Sequence, residues 1–413
     1  MKTDKINNNK PFTANIGLGL QAASKIVAIQ EGGAGLSNIR FIQDTATNLT
    51  PRVIFARSKA DLVENTFLEL TESLLVYYCP ALLGEKIFRK LYSKKLSPAA
   101  RKLISTPANE LLKSKIPDNK LLMPVKAALA LSCFAIPLVE FTLNYFKNLV
   151  TLGAFRQGNF ENIANLDKTN KVDKKLNQEV EKSAKKNIKR AAAIYGGCLA
   201  ASALLIKKGA GSKLLRNVSE AILAPGTKFF KGKEKSEKFL NKYLSLDFAD
   251  NNGKLTMSRG QLTSCVLVGG AGYFGASKDR GRQNFLETLF RFPLVGFYVI
   301  SGHELPEKGL KKLLYKNGKC KDLIDKNLNV PKLDELKQLA QAIVNKRGGD
   351  YNEVYKKLLR QKTFIAGVPL LFGIGVMGFF VTKSSNMFTK FRYEKEKAKN
   401  SMLMPVSSKR FFT

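Results

Sequence analysis

The chain has no tryptophan, one histidine and five cysteines with no CxxC pair, and its acids number less than half its bases: 33 Asp and Glu against 69 Lys and Arg in 413 residues. Each shortage excludes something. A lone histidine, His303, excludes a multi-histidine metal centre. Cys79, Cys133, Cys198, Cys265 and Cys320 lack the paired spacing of soft-metal sites. The first four lie in separate apolar stretches, so they read as small buried thiols in a reducing compartment. No GKS/T phosphate loop, G-x-S-x-G elbow or HExxH occurs, so neither an enzyme centre nor a cofactor is expected. Missing tryptophan removes a common interfacial anchor of membrane helices, a role that 27 Phe and 12 Tyr partly fill. The opening MKTDKINNNKPF lacks the apolar core of a signal peptide.

What is abundant is lysine. The formal net charge is +36, which fits an anionic partner. Part of the Lys and Asn excess can reflect a biased genome. Nucleic-acid readers favour Arg for bidentate base contacts and interleave aromatics with bases; neither pattern is found, so nucleic acid is not expected. Lysine spread over every loop fits acidic lipid headgroups better. The mean hydropathy of −0.15 means that any membrane spans are few or separated by long polar segments.

Thr363–Thr382, TFIAGVPLLFGIGVMGFFVT, is uncharged and bracketed by Lys362 and Lys383. As a helix it would be ~30 Å long, about the thickness of a bilayer's hydrocarbon core. Leu121–Phe146, Ala191–Ile206 and Leu262–Ser277 are further apolar runs, the first interrupted by Lys126, placed to reach an interface, and by Glu140. An intramembrane acid is a functional candidate for proton or cation handling, which singles out Glu140. Glu69 and Glu72 also lie in apolar surroundings and share a helix face; lysines are their expected partners. Segments 66–84 and 285–302 are expected at the interface or packed on the bundle, because Arg291 would be expensive in a lone span.

The organisation reads as an irregular lead-in over 1–58, punctuated by Gly32, Gly33 and Gly35; an amphipathic helical region and basic connector over 59–120; a membrane-associated helical region with polar loops over 121–302; a polar helical segment over 303–362; the span at 363–382; and a basic flexible tail over 383–413. In the second of these, Leu62, Val63, Phe67, Leu70, Leu74, Leu75 and Tyr78 recur at helical spacing, and Pro80 should kink or end the helix. Asp247–Gly253 superficially has the look of a calcium loop, but its terminal ligand positions fall on Phe248 and Arg259, so it reads as a turn.

Val266–Gly275, VLVGGAGYFG, resembles the glycine fingerprint of extended short-chain dehydrogenases and sugar-nucleotide epimerases, with Gly269, Gly272 and Gly275 in the matching places. The resemblance covers about ten residues and implies a strand, a glycine loop and a bound dinucleotide. The ribose-binding acid due about 20 residues on, at the end of a second strand, is missing. The nearest acid after an apolar run, Glu304, lies about 35 residues past Gly269. The stretch reads instead as a close-packed helix with Gly272 and Ala276 on one small face, complementary to Gly367 and Gly375 of the 363–382 run.

The fold expected is therefore mainly α: a multi-pass helical membrane bundle with long Lys-rich polar loops and amphipathic helices, in a bacterial inner membrane. The expected role is structural or interactive at an anionic membrane, with partner proteins or a second copy meeting the Gly-rich helices. The alternatives are a transporter or channel using Glu140 and, behind it, a nucleotide-binding enzyme through Gly269–Gly275.

Overall fold

A computed structural model describes residues 18–31, 41, 42, 44–114, 119–169, 171–251, 254–302 and 304–403. Gly32, Gly33, Gly35, Gly253, His303 and residues 404–413 of the tail lie outside the described residues. The described chain is mainly helical. Its long elements are α1 (Leu18–Glu31), α2 (Lys59–Cys79), α3 (Asn119–Ser132), α4 (Ala135–Phe155), α5 (Lys174–Lys208), α6 (Lys213–Leu223), α7 (Arg259–Asp279), α8 (Arg282–Phe297), α9 (Glu304–Lys316), α10 (Leu336–Arg347), α11 (Tyr351–Phe372) and α12 (Val381–Leu403). The hairpin β1 (Ala249–Asn251) and β2 (Lys254–Thr256) sets Asp250 opposite Leu255.

Local sequence explains the helix starts. The Ser58 hydroxyl accepts the Asp61 N–H at α2, Asp173 accepts the Leu176 N–H at α5, and Ser258 with Gln261 forms a reciprocal capping box at α7. Each satisfies donors that the first turn leaves open. At Pro80 the missing N–H ends regular α geometry, and the chain continues to Phe88 in widened, π-type turns.

The chain divides into two compact units, Met1–Gly32 with His303–Phe372, and Gly33–Gly302 with Gly373–Thr413. In the first, α1, α9, α10 and α11 enclose an ordinary apolar core that includes Val27, Leu323, Leu336, Ala340 and Leu359.

The second unit has two kinds of interior. Around α3, the end of α5, α6 and the hairpin the core is apolar, built on Leu111, Leu122, Val125, Leu129, Leu223 and Leu255. Lys126 does not reach an interface. It is 1 % exposed, and its Nζ meets Asp247 Oδ1 at 2.9 Å, the Ile104 carbonyl at 2.8 Å and the Thr106 carbonyl at 2.9 Å. These oxygens replace the water it leaves, which is why burial is tolerated. Burial holds the Asp247 carboxyl above the ordinary range, with Lys126 opposing.

Around α2, α4, α7, α8 and α12 the pattern is reversed. On α2 the buried positions include Asp61, Glu64, Glu69 and Ser73, while Leu62, Val63, Leu70 and Leu74 are exposed. On α8, Gln283, Asn284, Glu287, Thr288 and Arg291 are buried while Leu289, Leu294 and Phe297 are exposed. On α12, Thr382, Ser385 and Thr389 are buried beside Val381, while Met387, Phe388 and Phe391 are exposed beside Lys383 and Lys390.

Four helices among the described residues are long and apolar enough to cross a membrane: Lys120–Phe155, Lys174–Lys208, Arg282–Gly302 and Tyr351–Asn400. Arg282–Gly302, expected at an interface, is among them, and Leu262–Ser277 is not. The exchange has a reason: α7 is rich in glycine, whereas the exposed Leu and Phe of α8 outweigh its buried polar row.

Candidate functional site

The site begins at the seam between α4 and α7. A Cβ on Gly272 would lie 2.4 Å from the Phe141 carbonyl oxygen, one on Gly275 2.2 Å from the Tyr145 hydroxyl, and Ala276 is fully buried. The helices touch backbone to backbone, as small residues allow. Asn144 Nδ2 donates to the Glu140 carbonyl (3.0 Å) and, across the seam, to the Gly269 carbonyl (3.5 Å); Asn148 Nδ2 donates to the Ala276 carbonyl (3.1 Å). Residues 266–268, which a dinucleotide fold would make a strand, lie inside α7, and the glycine loop of that resemblance is not formed. Gly367 and Gly375 have nothing within 4 Å; on that stretch Gly373 meets Tyr298, and Gly378 meets the Thr47 carbonyl.

Beside the seam the second unit holds a cavity of about 160 Å³ between the helical segment 44–52, α2, α4, α7 and α8. Glu140 lines it. Gly269 leaves room for that carboxylate, since a Cβ there would lie 3.0 Å from Glu140 Oε2, and Gly270 leaves room for the Phe292 ring. Glu69, Glu72, Asn144, Cys265 and Arg291 also face the cavity.

The same unit holds three charge clusters, of which the first lines this cavity and the other two contribute to a second pocket. Arg52 is paired with Glu69, not a lysine. Asp44 accepts from Ser73 and from Asn48 Nδ2, and burial raises its carboxyl even so. Arg57 bridges Asp61 (3.0 Å) and Glu287 (2.7 Å). Arg280, which has no exposed surface, grips both oxygens of Glu64 at 2.7 Å; Lys147 reaches the same carboxylate at 3.2 Å and Thr151 Oγ1 donates to it at 3.0 Å. These groups are buried and paired, the condition under which interior charge persists, although Arg52 Nε and Arg280 Nη2 have no acceptor among the described residues.

Glu72, Glu140 and Arg291 differ. Among the described residues none of the three has a salt-bridge partner; Arg291 Nη2 donates only to Thr382 Oγ1 at 3.2 Å, and its Nε has no acceptor. Asn144 Oδ1, 93 % buried by residue, also has none. Its orientation follows from the two carbonyls that hold Nδ2, so Oδ1 is the free end.

Sequence reading singled out Glu140 and Glu72, and the structure places them on one cavity. It missed Asp44, Arg52 and Asn144. A signal was present: polar residues recur every three or four positions at Glu140, Asn144, Lys147 and Thr151 and at Asn284, Glu287 and Arg291, and at steps of three to five at Asp61, Glu64, Glu69 and Ser73, a polar stripe inside apolar helices. No family model, curated protein or solved structure matches this chain.

Proposed function

We propose that this is an integral membrane protein of transporter or channel type, whose solute path runs through the cavity at Glu140. One observation carries the reading: the reversed polarity of α2, α8 and α12. In water, Leu289, Leu294 and Phe297 at about half exposure would each forgo ~1 kcal/mol of burial, while Glu287 and Arg291 would pay several kcal/mol for desolvation. Both penalties reverse sign in lipid, where apolar side chains belong outside and polar groups belong in the bundle interior. A cavity with charged groups on its wall is then a place for a solute rather than a packing defect.

The earlier expectation of an anionic membrane surface is supported by α5. Its first half carries exposed lysines such as Lys182, Lys185 and Lys189, and runs without a break into the apolar Ala191–Ile206. Such a helix suits a span that leaves the bilayer among acidic headgroups. A bacterial inner membrane is the location proposed.

Two measurements test the proposal. Membranes from cells expressing the full chain should retain it through alkaline carbonate; release into the supernatant would contradict membrane integration. In proteoliposomes, Glu140→Gln should lower solute-dependent or proton-dependent flux at least tenfold; unchanged flux would remove Glu140 from the path.

A further inference from the structure

Resting on the membrane reading above, we infer that the cavity binds a small zwitterion, taking its carboxylate at Arg291 and its ammonium at Glu72, Glu140 and Asn144. The argument is a balance of unmet demands. Arg52 is paired with Glu69 through one end of its guanidinium, and Asp44 is held by Ser73 and Asn48. What remains facing the cavity is a guanidinium without an acid and two carboxylates without a base. The cavity wall also carries two unpartnered guanidinium donors, Arg291 Nε and Arg52 Nε, and an unpartnered acceptor, Asn144 Oδ1. Arg291 is 8 %, Asn144 7 % and Glu140 6 % exposed, so bulk water does not meet these demands. Leaving a buried donor or acceptor unmet costs ~1–3 kcal/mol, and more for a charge.

A monopole answers only half of this. An anion on Arg291 would face the two carboxylates. A cation on the carboxylates would leave Arg291 bare. A ligand with both charges answers all four groups, and a guanidinium is well shaped for a carboxylate. Size limits the choice: a dry cavity of about 150 Å³ takes a six-carbon ring, so about 160 Å³ admits roughly six heavy atoms. Leu68, Val266, Phe292 and Val295 supply apolar wall for a short aliphatic body. The ligand class is therefore a small amino acid or a short ω-amino acid.

The test is calorimetric titration of the full chain in nanodiscs with glycine, L-alanine, β-alanine and 4-aminobutyrate, and with acetate and methylammonium as single-charge probes. At least one zwitterion should bind tenfold or more tightly than either monopole. Arg291→Gln should weaken that zwitterion at least tenfold and leave methylammonium unchanged. Glu140→Gln should weaken both and leave acetate unchanged. Arg291→Lys, which keeps the charge, should retain part of the binding. If Arg291→Gln does not fold, the parent protein with the six probes and Arg291→Lys decide the matter. Absence of binding by all four zwitterions, or a monopole bound as tightly, overturns the inference. A chain that resists carbonate yet binds no zwitterion defeats this inference alone; one released by carbonate defeats the membrane reading beneath it.

Discussion

At the scale of single residues, the polar interior among α2, α4, α7 and α8 of the second unit is held by charge. Glu64 accepts from Arg280, Lys147 and Thr151, all buried. Glu64→Gln leaves two buried cations with no counter-ion, and unfolding of the purified protein should show a loss of roughly 3–5 kcal/mol. Replacing all three charges together, Glu64→Leu with Lys147→Met and Arg280→Met, should cost much less; a triple variant as unstable as the single one would contradict the pairing. Sequence reading reached only part of this. Glu140 stood out because a carboxylate interrupts an apolar run, and Arg291 because a central guanidinium is costly there. The pairings were not legible, because Arg57 and Glu287 lie 230 positions apart and Arg280 and Glu64 lie 216 apart, and no local pattern joins them.

At the scale of helices, the glycines divide into those that carry contact and those that do not. A methyl at Gly272 would meet the Phe141 backbone, which has nowhere to move. Gly272→Ala should therefore cost about 1–3 kcal/mol by overpacking. Gly367→Ala and Gly375→Ala meet open space, and thermal unfolding should show them neutral or stabilising by up to about 1 kcal/mol, the helix-propensity gain. Equal losses at all three positions would refute the seam. The helical period of α2 was readable from Leu62 to Tyr78, but the face turned inward was not. The usual rule places leucine inside because it presumes water outside, and here Asp61, Glu64 and Glu69 take the interior.

At the scale of the whole molecule, the described chain combines two conventional apolar cores with a region whose polarity is reversed. The helical character was legible from periodicity, and four helices reach spanning length and hydropathy. Periodicity alone cannot say which solvent each face meets, so the reversed region emerged only once burial was known. The absence of tryptophan makes a direct probe of that solvent possible, since one introduced indole is the sole reporter. Leu289→Trp, on the exposed face of α8, should emit in the blue in proteoliposomes, be quenched by brominated lipid and be shielded from aqueous iodide. Lys182→Trp, on the basic half of α5, should be quenched by iodide. Lipid quenching at position 289 with iodide protection is the result the account predicts; red-shifted emission quenched by iodide as strongly as at position 182 would contradict it.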